Sequence, residues 1–453
     1  MDGTEKPALA DSPDMRALHD SEAFAVGYHA FVWGYPYVKG MLLRHGAMHP
    51  RTANHAPLNT MHYFTTLARP GFHDFTPTVE ALMNVGWVDL SQGPVLFDIP
   101  DIDDRYWSVV LVDAVGDAAC YLGSRQGSAP GAYALVPLGW GGALPAGVTA
   151  IPVRSRFSLL LLRTLVRPEV AGDLDRSVAL HAAMVLRPLD PAARVPEIAA
   201  EAPVASARPD TPLFHTLDFF ARLNQALDEG GVMPGEEGVV AQFAGFGIGP
   251  GLTFAPEALS EAQRAGLLRG MQAAHQRIAA ELRLGAVTLG GWQFNYDVGA
   301  YGHRYMTRAT AALFGFGAMI PEETLYVVTT QDCAGAPLDG TGRYAITFAP
   351  GQLPPVRAFW SITVYTRPAN QLVANAIDRY SVSSQTPGLI KDADGTLRIA
   401  LQHARPEDPV EAANWLPLPD GAFWLILRTY VPEAPLLERA YTPPPVVRLN
   451  GSH

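Results

Sequence analysis

The densest concentration of side chains able to ligate a metal or move a proton is a run of histidines, His45, His49, His55, His62 and His73. Imidazoles suit zinc or non-haem iron. Their spacings of 4, 6, 7 and 11 residues match no ligand signature, so locally hydrogen-bonded or surface histidines are the plainer reading, and a His-ligated metal enzyme is an alternative. GFGIGPG at 245–251 superficially suggests a phosphate loop. It lacks the lysine of a P-loop and the strand-turn-helix context of a dinucleotide fingerprint, and reads as a plain loop. HExxH, paired CxxC and GxSxG are all absent, which removes the commonest zinc-protease, zinc-ribbon and hydrolase-elbow chemistries. With no phosphate cradle, no nicotinamide, flavin or nucleotide cofactor is expected.

The elements that must position any site follow from composition and pattern. A chain of 453 residues with 48% hydrophobic content is expected to form two or three packed units. A net charge of −11 and no basic stripe argue against a nucleic-acid partner. The first residues show no basic then apolar leader and no 18-residue apolar run follows, so a cytoplasmic protein without a membrane partner is expected. Cys120 and Cys333 are expected to be free, buried thiols. Leu18, Phe24, Tyr28, Phe31, Val32, Tyr35, Val38, Met41 and Leu42 recur at helical spacing, and Pro36 predicts a division into two helices. Strand patterns begin near Val85: VGWVDL, PVLFDI, RYWSVVLVDA, ACYLG, AYALV and RFSLLLLRTLV. Helical spacing returns over 173–187, 211–228 and 256–283, with start signals at Thr211-Pro212 and Pro256-Glu257. RYAITFAPGQLPPVRAFWSITVYT then alternates with period two and predicts a β-hairpin, followed by Asp394-Gly395 and Asp420-Gly421 turns.

The last third also resembles a known family. Thr347-Phe348, PPVRAFWSITVY at 354–365, Arg379-Tyr380-Ser381, Asp394-Gly395, NWLPLP at 414–419 and RTYVP at 428–432 are similar, in order, to the domain of unknown function 1214. AFVWGYP at 30–36, PLN at 57–59, WVDLS at 87–91, DRYWSV at 104–109, Gly123-Ser124-Arg125 and LLRT at 161–164 resemble its companion, the domain of unknown function 1254. Together they imply an α+β protein of two antiparallel sandwich or jelly-roll-like domains joined by helices. The expected organisation is N-terminal helices at 1–46, a first β domain at 47–166, a helical section at 167–324 and a C-terminal β domain at 325–453. The companion family usually reads like PNNDTLYS before WxDLS, whereas this chain has PTVEALMN at 77–84.

The resemblance gathers Asp89, Arg105, Tyr106, Asp113 and Arg125 from the first half, and Tyr305, Arg308, Trp360, Tyr365, Arg379, Tyr380, Asn414, Trp415, Arg428 and Tyr430 from the second. Arginines clamp carboxylates or enolates, Tyr and Asp exchange protons, and aromatic walls suit a flat apolar ligand. The bland counterpart is a set of ion pairs and strand-end caps. In the altered loop, Glu80 and the nearby His62 form a candidate carboxylate-imidazole pair for acid and base work, with Asp89 as a further catalytic candidate. The expectation is that His62, Glu80, Asp89 and Arg105 share an interdomain cavity with Tyr365, Arg379 and Trp415. Two functions fit: a cofactor-free enzyme performing hydrolysis, elimination or isomerisation on an apolar or aromatic small molecule, or a noncatalytic binding or assembly protein. A homo-oligomer fits either.

Overall fold

The computed structural model describes residues 13–72, 76–195, 211–284 and 286–449. His73 lies outside them. The chain opens with α1 (Pro13–Met48), a single helix that carries Pro36 in its interior instead of two helices divided there. Proline removes the bond to the carbonyl four residues back. The helix continues because every residue from 30 to 42 is buried, so packing on all sides replaces what the missing bond gave. Leu18 and Phe24, expected on its apolar face, are exposed near its start.

α2 (Asp173–Ala183) packs on the first sheet unit, and α3 (Asp218–Gly230), α4 (Glu261–Leu284) and α5 (Tyr305–Gly315) pack around α1 as a bundle. Phe31, Tyr35, Phe214, Phe219, Leu223, Leu267 and Met271 form the bundle core. The α1 and α4 backbones touch: a Cβ at Gly27 would strike the Leu267 carbonyl, and one at Gly270 the Phe24 carbonyl. The start signals at Thr211 and Pro256 open short 3-10 turns, and α4 itself begins with reciprocal hydrogen bonds between Ser260 and Gln263.

The first sheet unit contains β1 (His62–Tyr63), β2 (Ala81–Asp89), β3 (Val95–Ile99), β4 (Trp107–Val112), β5 (Ala118–Gly123), β6 (Gly131–Pro137), β7 (Thr149–Val153), β8 (Phe157–Leu165) and β9 (Arg187–Pro188). They form a five-stranded sheet, β1-β2-β8-β4-β5, over a four-stranded one, β7-β6-β3-β9. The second unit contains β10 (Val287–Leu289), β11 (Trp292–Phe294), β12 (Thr324–Thr329), β13 (Arg343–Phe348), β14 (Val356–Thr366), β15 (Ser381–Ser383), β16 (Leu397–Gln402), β17 (Trp415–Pro417), β18 (Phe423–Pro432) and β19 (Val447–Leu449). Its sheets are β10-β11-β12-β18-β14-β15 and β17-β16-β13-β19. The protein is thus α+β with two sheet-rich units; β9 follows residue 166, and β10 and β11 precede residue 325.

The predicted hairpin is not one. β13 and β14 lie in different sheets, and the connection at 349–355 crosses between them. Pro354 and Pro355 offer no N–H to a ladder, so the chain leaves one sheet and returns in the other. Phe348 then meets Trp360 across the core at 5.5 Å between ring centroids. Both cysteines are free, but Cys333 is exposed and Cys120 half-buried, where buried thiols were expected.

Side-chain alternation decides where the units meet. One face of the five-stranded sheet carries Val88, Val109, Leu160 and Leu162 into its own sandwich core. The other carries Tyr106, Val110, Leu161 and Leu165 against Met319, Phe359 and Tyr430 of the second half. The two larger sheets therefore meet face to face. No helix among the described residues is long and apolar enough to cross a membrane.

Candidate functional site

The seam between these sheets is where residues 76–80, leading into β2, lie against β14, β15 and β18. Thr76 has a φ of 51°, a strained conformation for a β-branched residue. Its carbonyl accepts a bond from Arg428 Nη2 at 2.6 Å, and the next carbonyl, of Pro77, accepts one from the Tyr365 hydroxyl at 2.7 Å. Glu80 is 6% exposed and lies within reach of both units. Its Oε2 accepts from Thr78 Oγ1 at 2.8 Å, and its Oε1 from the hydroxyl of Ser381 in β15. Thr78 Oγ1 in turn accepts from the Tyr430 hydroxyl at 3.3 Å, so a hydrogen-bonded chain runs from Tyr430 through Thr78 to Glu80. Among the described residues Glu80 has no ion pair, and each of its oxygens retains a second acceptor position.

Burial sets the electrostatics. It drives the Tyr430 phenol far above its ordinary value, against the opposing pull of Arg428. Tyr365 is pushed up to about 12 for the same reason, again with Arg428 opposing. Both phenols therefore stay protonated donors at neutral pH. Burial disfavours charge on Arg428, but Tyr365, Tyr430 and Glu80 outweigh it and raise its pKa. Beside this group, Tyr106 donates to Glu323 Oε1 at 2.8 Å and Arg125 Nε to Glu323 Oε2 at 2.7 Å, a second polar clamp between the halves. A pocket of about 10 Å³, room for one water, lies beside this segment between Phe64, Phe72, Thr78, Ala81 and Met83, all of the first unit. A larger depression of about 400 Å³ lies on the helical bundle at Asn224, Gln225, Asp228 and Glu229, away from the expected site.

The structure brings together only part of the expected set. Glu80, Tyr365, Tyr380, Arg428 and Tyr430 belong to the seam, Tyr380 through its packing beside Tyr365, and Tyr106 and Arg125 border it. His62 does not hydrogen-bond Glu80; its Nδ1 faces the His55 carbonyl at 3.3 Å and its ring meets Phe64 at 4.4 Å. The common cavity does not include the others. Asp89 forms a bidentate pair with Arg156, both bonds 3.0 Å, and Arg105 is fixed on Asp104, Asp173 and Ser177. Arg379 donates to the carbonyls of Ala413 and Trp415, the Trp415 ring donates to Gln402, and Asn414 ties down Ile390, all within the second unit. Trp360 is core, and Tyr305 and Arg308 belong to the helical bundle. Asp113 accepts from the amides of Val115 and Asp117 in the turn after β4.

Among the histidines, His45 contacts Glu229 at 2.8 Å, His49 accepts from the Arg51 amide and His62 faces His55, so the described ones do not converge. GFGIGPG is a loop pinned by Asn224, which bonds Gly247, Gly249 and Leu252. Sequence reasoning missed Thr78, Ser381, Glu323 and Arg163 as seam residues. Arg163 alone had a legible signal, as the one charge inside the apolar run FSLLLLRTLV. The hydroxyls had none, because Ser and Thr are unremarkable in a strand until another unit presents an acceptor.

Comparison with known proteins bears on the fold and the family. The crystal structure of the VPA0106 protein from Vibrio parahaemolyticus is similar at a TM-score of 0.70 and 20% identity, covering 94% of this chain and 100% of that one. An uncharacterized protein from Burkholderia cenocepacia aligns over 96% of this chain and 97% of its own at 13% identity, with a TM-score of 0.45. No curated protein matches the sequence. Residues 58–188 match the family described as Protein of unknown function (DUF1254), and residues 323–434 that described as Protein of unknown function (DUF1214). These are the two units whose sheets meet at Glu80, and the chain belongs to the two-domain proteins in which a DUF1254 region is followed by a DUF1214 region.

Proposed function

We propose that the protein is a small-molecule enzyme that performs acid and base chemistry between its two sheets, with Glu80 as the proton acceptor and the Tyr430-Thr78 pair as the donor side. The observation that carries this is a buried carboxylate that, among the described residues, is held by hydroxyls, one from each unit, with no cation bonded to it. A carboxylate kept for structure is ordinarily ion-paired when buried. The aromatic surroundings, Tyr365, Tyr430 and Phe359, suit an apolar or aromatic substrate in a hydrolysis, elimination or isomerisation without an organic cofactor. Two free cysteines agree with a cytoplasmic location.

A noncatalytic reading has its own support. Tyr365 and Arg428 direct their bonds to backbone carbonyls at 76 and 77, as a joint between domains would. The test is to incubate the full chain and its Glu80→Gln variant with a metabolite extract and follow compound loss by mass spectrometry. Consumption by the parent and not by an equally well-folded variant is the expected result. Equal consumption would remove Glu80 from the chemistry, and no consumption by either would leave the binding or assembly role.

A further inference from the structure

The depression on the helical bundle is built by α3 and the loop that follows the GFGIGPG segment. Ala221, Asn224, Gln225 and Asp228 recur at helical spacing and form one wall, and Leu252, Thr253 and Phe254 form the other, around about 400 Å³. Small-molecule sites occupy about 300–1,000 Å³. The distance between the walls is fixed by hydrogen bonds. Asn224 donates to the carbonyls of Gly247 and Leu252 and accepts from the Gly249 amide, and Asp228 accepts from the Gly251 amide at 2.6 Å. Glu229 also lines the space. Its Oε2 meets Arg44 and His45, the latter at 2.8 Å, and its Oε1 accepts from Gln225 at 3.0 Å. Burial opposes charge on Glu229, but the bond to His45 and the charge of Arg44 outweigh it and hold its carboxyl below the ordinary value, so it is ionised at neutral pH.

The chemistry of an occupant follows from what the lining can still accept or donate. The amide of Asn224 is spent on the loop, and Gln225 donates to Glu229 and accepts from Arg222. What remains is two carboxylates, which only accept. Asp228 has no ion pair among the described residues, and no Lys or Arg is among the residues that line the space. Asp228 and Glu229 stand in the last turn of α3, whose carbonyls add partial negative charge. The remaining surface is apolar: Ala221, Leu252 and Phe254, whose ring packs on Phe220 at 5.4 Å. We propose that this depression binds a small organic amine, with its ammonium group on Asp228, Glu229 as second acceptor, and its apolar body against Leu252 and Phe254. The site is separate from Glu80 and does not rest on the acid-base reading. Calcium or magnesium would find only two carboxylates here, against an apolar wall, where each takes six or more oxygens in all.

The probes are benzylamine, protonated at neutral pH, and benzyl alcohol, its uncharged counterpart, with potassium chloride and calcium chloride at matched ionic strength. Each is titrated calorimetrically into the full chain and into its Asp228→Asn and Ala221→Trp variants. Both substitutions fall on exposed positions of α3, so all three proteins should melt at similar temperatures. Benzylamine is expected to bind the parent saturably, and benzyl alcohol about tenfold more weakly, because the alcohol forgoes the charge-assisted bonds. Asp228→Asn should lower the affinity for benzylamine about tenfold and leave that for benzyl alcohol unchanged. Ala221→Trp fills the depression without touching a charge and should abolish the binding of both. Benzylamine binding that is absent from the parent, or retained in Ala221→Trp, overturns the site. Equal affinities for the amine and the alcohol, or an amine affinity unaltered in Asp228→Asn, overturn the amine assignment. So does calcium chloride that displaces benzylamine where potassium chloride does not, since the carboxylates would then serve a metal ion.

Discussion

Glu80 and Glu236 are both buried carboxylates at junctions of the chain, and they are held in contrasting ways. Glu236, 2% exposed, receives Arg308 through both oxygens at 2.6 and 3.2 Å, the Trp33 ring N–H at 2.7 Å and the Tyr37 hydroxyl at 2.9 Å. It joins α1, the segment before residue 237 and α5 with its charge neutralised on the spot. Among the described residues Glu80 joins the two sheets through neutral hydroxyls alone. The contrast separates charge committed to architecture from charge left available. The arginines also differ: among the described residues Arg308 meets a carboxylate and Arg163 only the Met319 thioether.

The largest effect should come from breaking the committed pair. Arg308→Ala leaves Glu236 buried without its cation and is expected to cost about 3–5 kcal/mol in a urea melt. A loss below about 1 kcal/mol would mean that Trp33 and Tyr37 suffice, and the contrast with Glu80 would collapse. Glu80→Gln tests the other side. Glutamine can still meet both hydroxyls, so stability should change by no more than about 1 kcal/mol. Turnover should fall by about 10²–10⁴-fold if Glu80 is the base.

A third buried carboxylate, Asp113, sharpens the comparison because the amides of Val115 and Asp117 hold it, with the half-exposed Arg154 more distant at 3.4 Å. Burial first, and Asp117 second, push it up to about 7 from 3.8. A carboxyl raised in this way stabilises the fold fully below about pH 4 and loses that contribution as pH rises to about 7, at up to about 1.4 kcal/mol per unit. His181 acts oppositely: burial lowers it from 6.5 to about 4, so its contribution is present above 6.5 and lost as pH falls toward 4. The parent's profile therefore mixes two slopes, and Asp113→Asn isolates one. The variant should gain on the parent as pH rises from about 4 to about 7 and level off above, measured by denaturant melts across that range. A constant difference would show that Asp113 keeps an ordinary pKa.

The smallest effect is expected from Tyr430→Phe. It removes one 3.3 Å bond to Thr78 and leaves the ring stacked on Phe359 at 4.0 Å, for a loss of about 0.5–1.5 kcal/mol. A larger loss of turnover than of stability would tie the phenol to the chemistry.

By itself the sequence determined the α+β composition, most strands, and the two family regions, because period-two alternation and Asp-Gly turns are local properties read within a few residues. It also marked the 77–84 segment as unusual, and Glu80 from that segment does lie at the seam. Tertiary structure decided what local pattern cannot carry. Pro36 stays inside a helix because thirteen consecutive buried residues encase it, and β13 parts from β14 because the seven residues between them cross to another sheet. Which arginines reach a carboxylate or carbonyl was decided in the same way: Arg105, Arg379 and Arg428 find them far away in sequence, and among the described residues Arg163 meets only the Met319 thioether. A side chain's type announces the charge it carries; only the packed fold determines whether that charge is already answered.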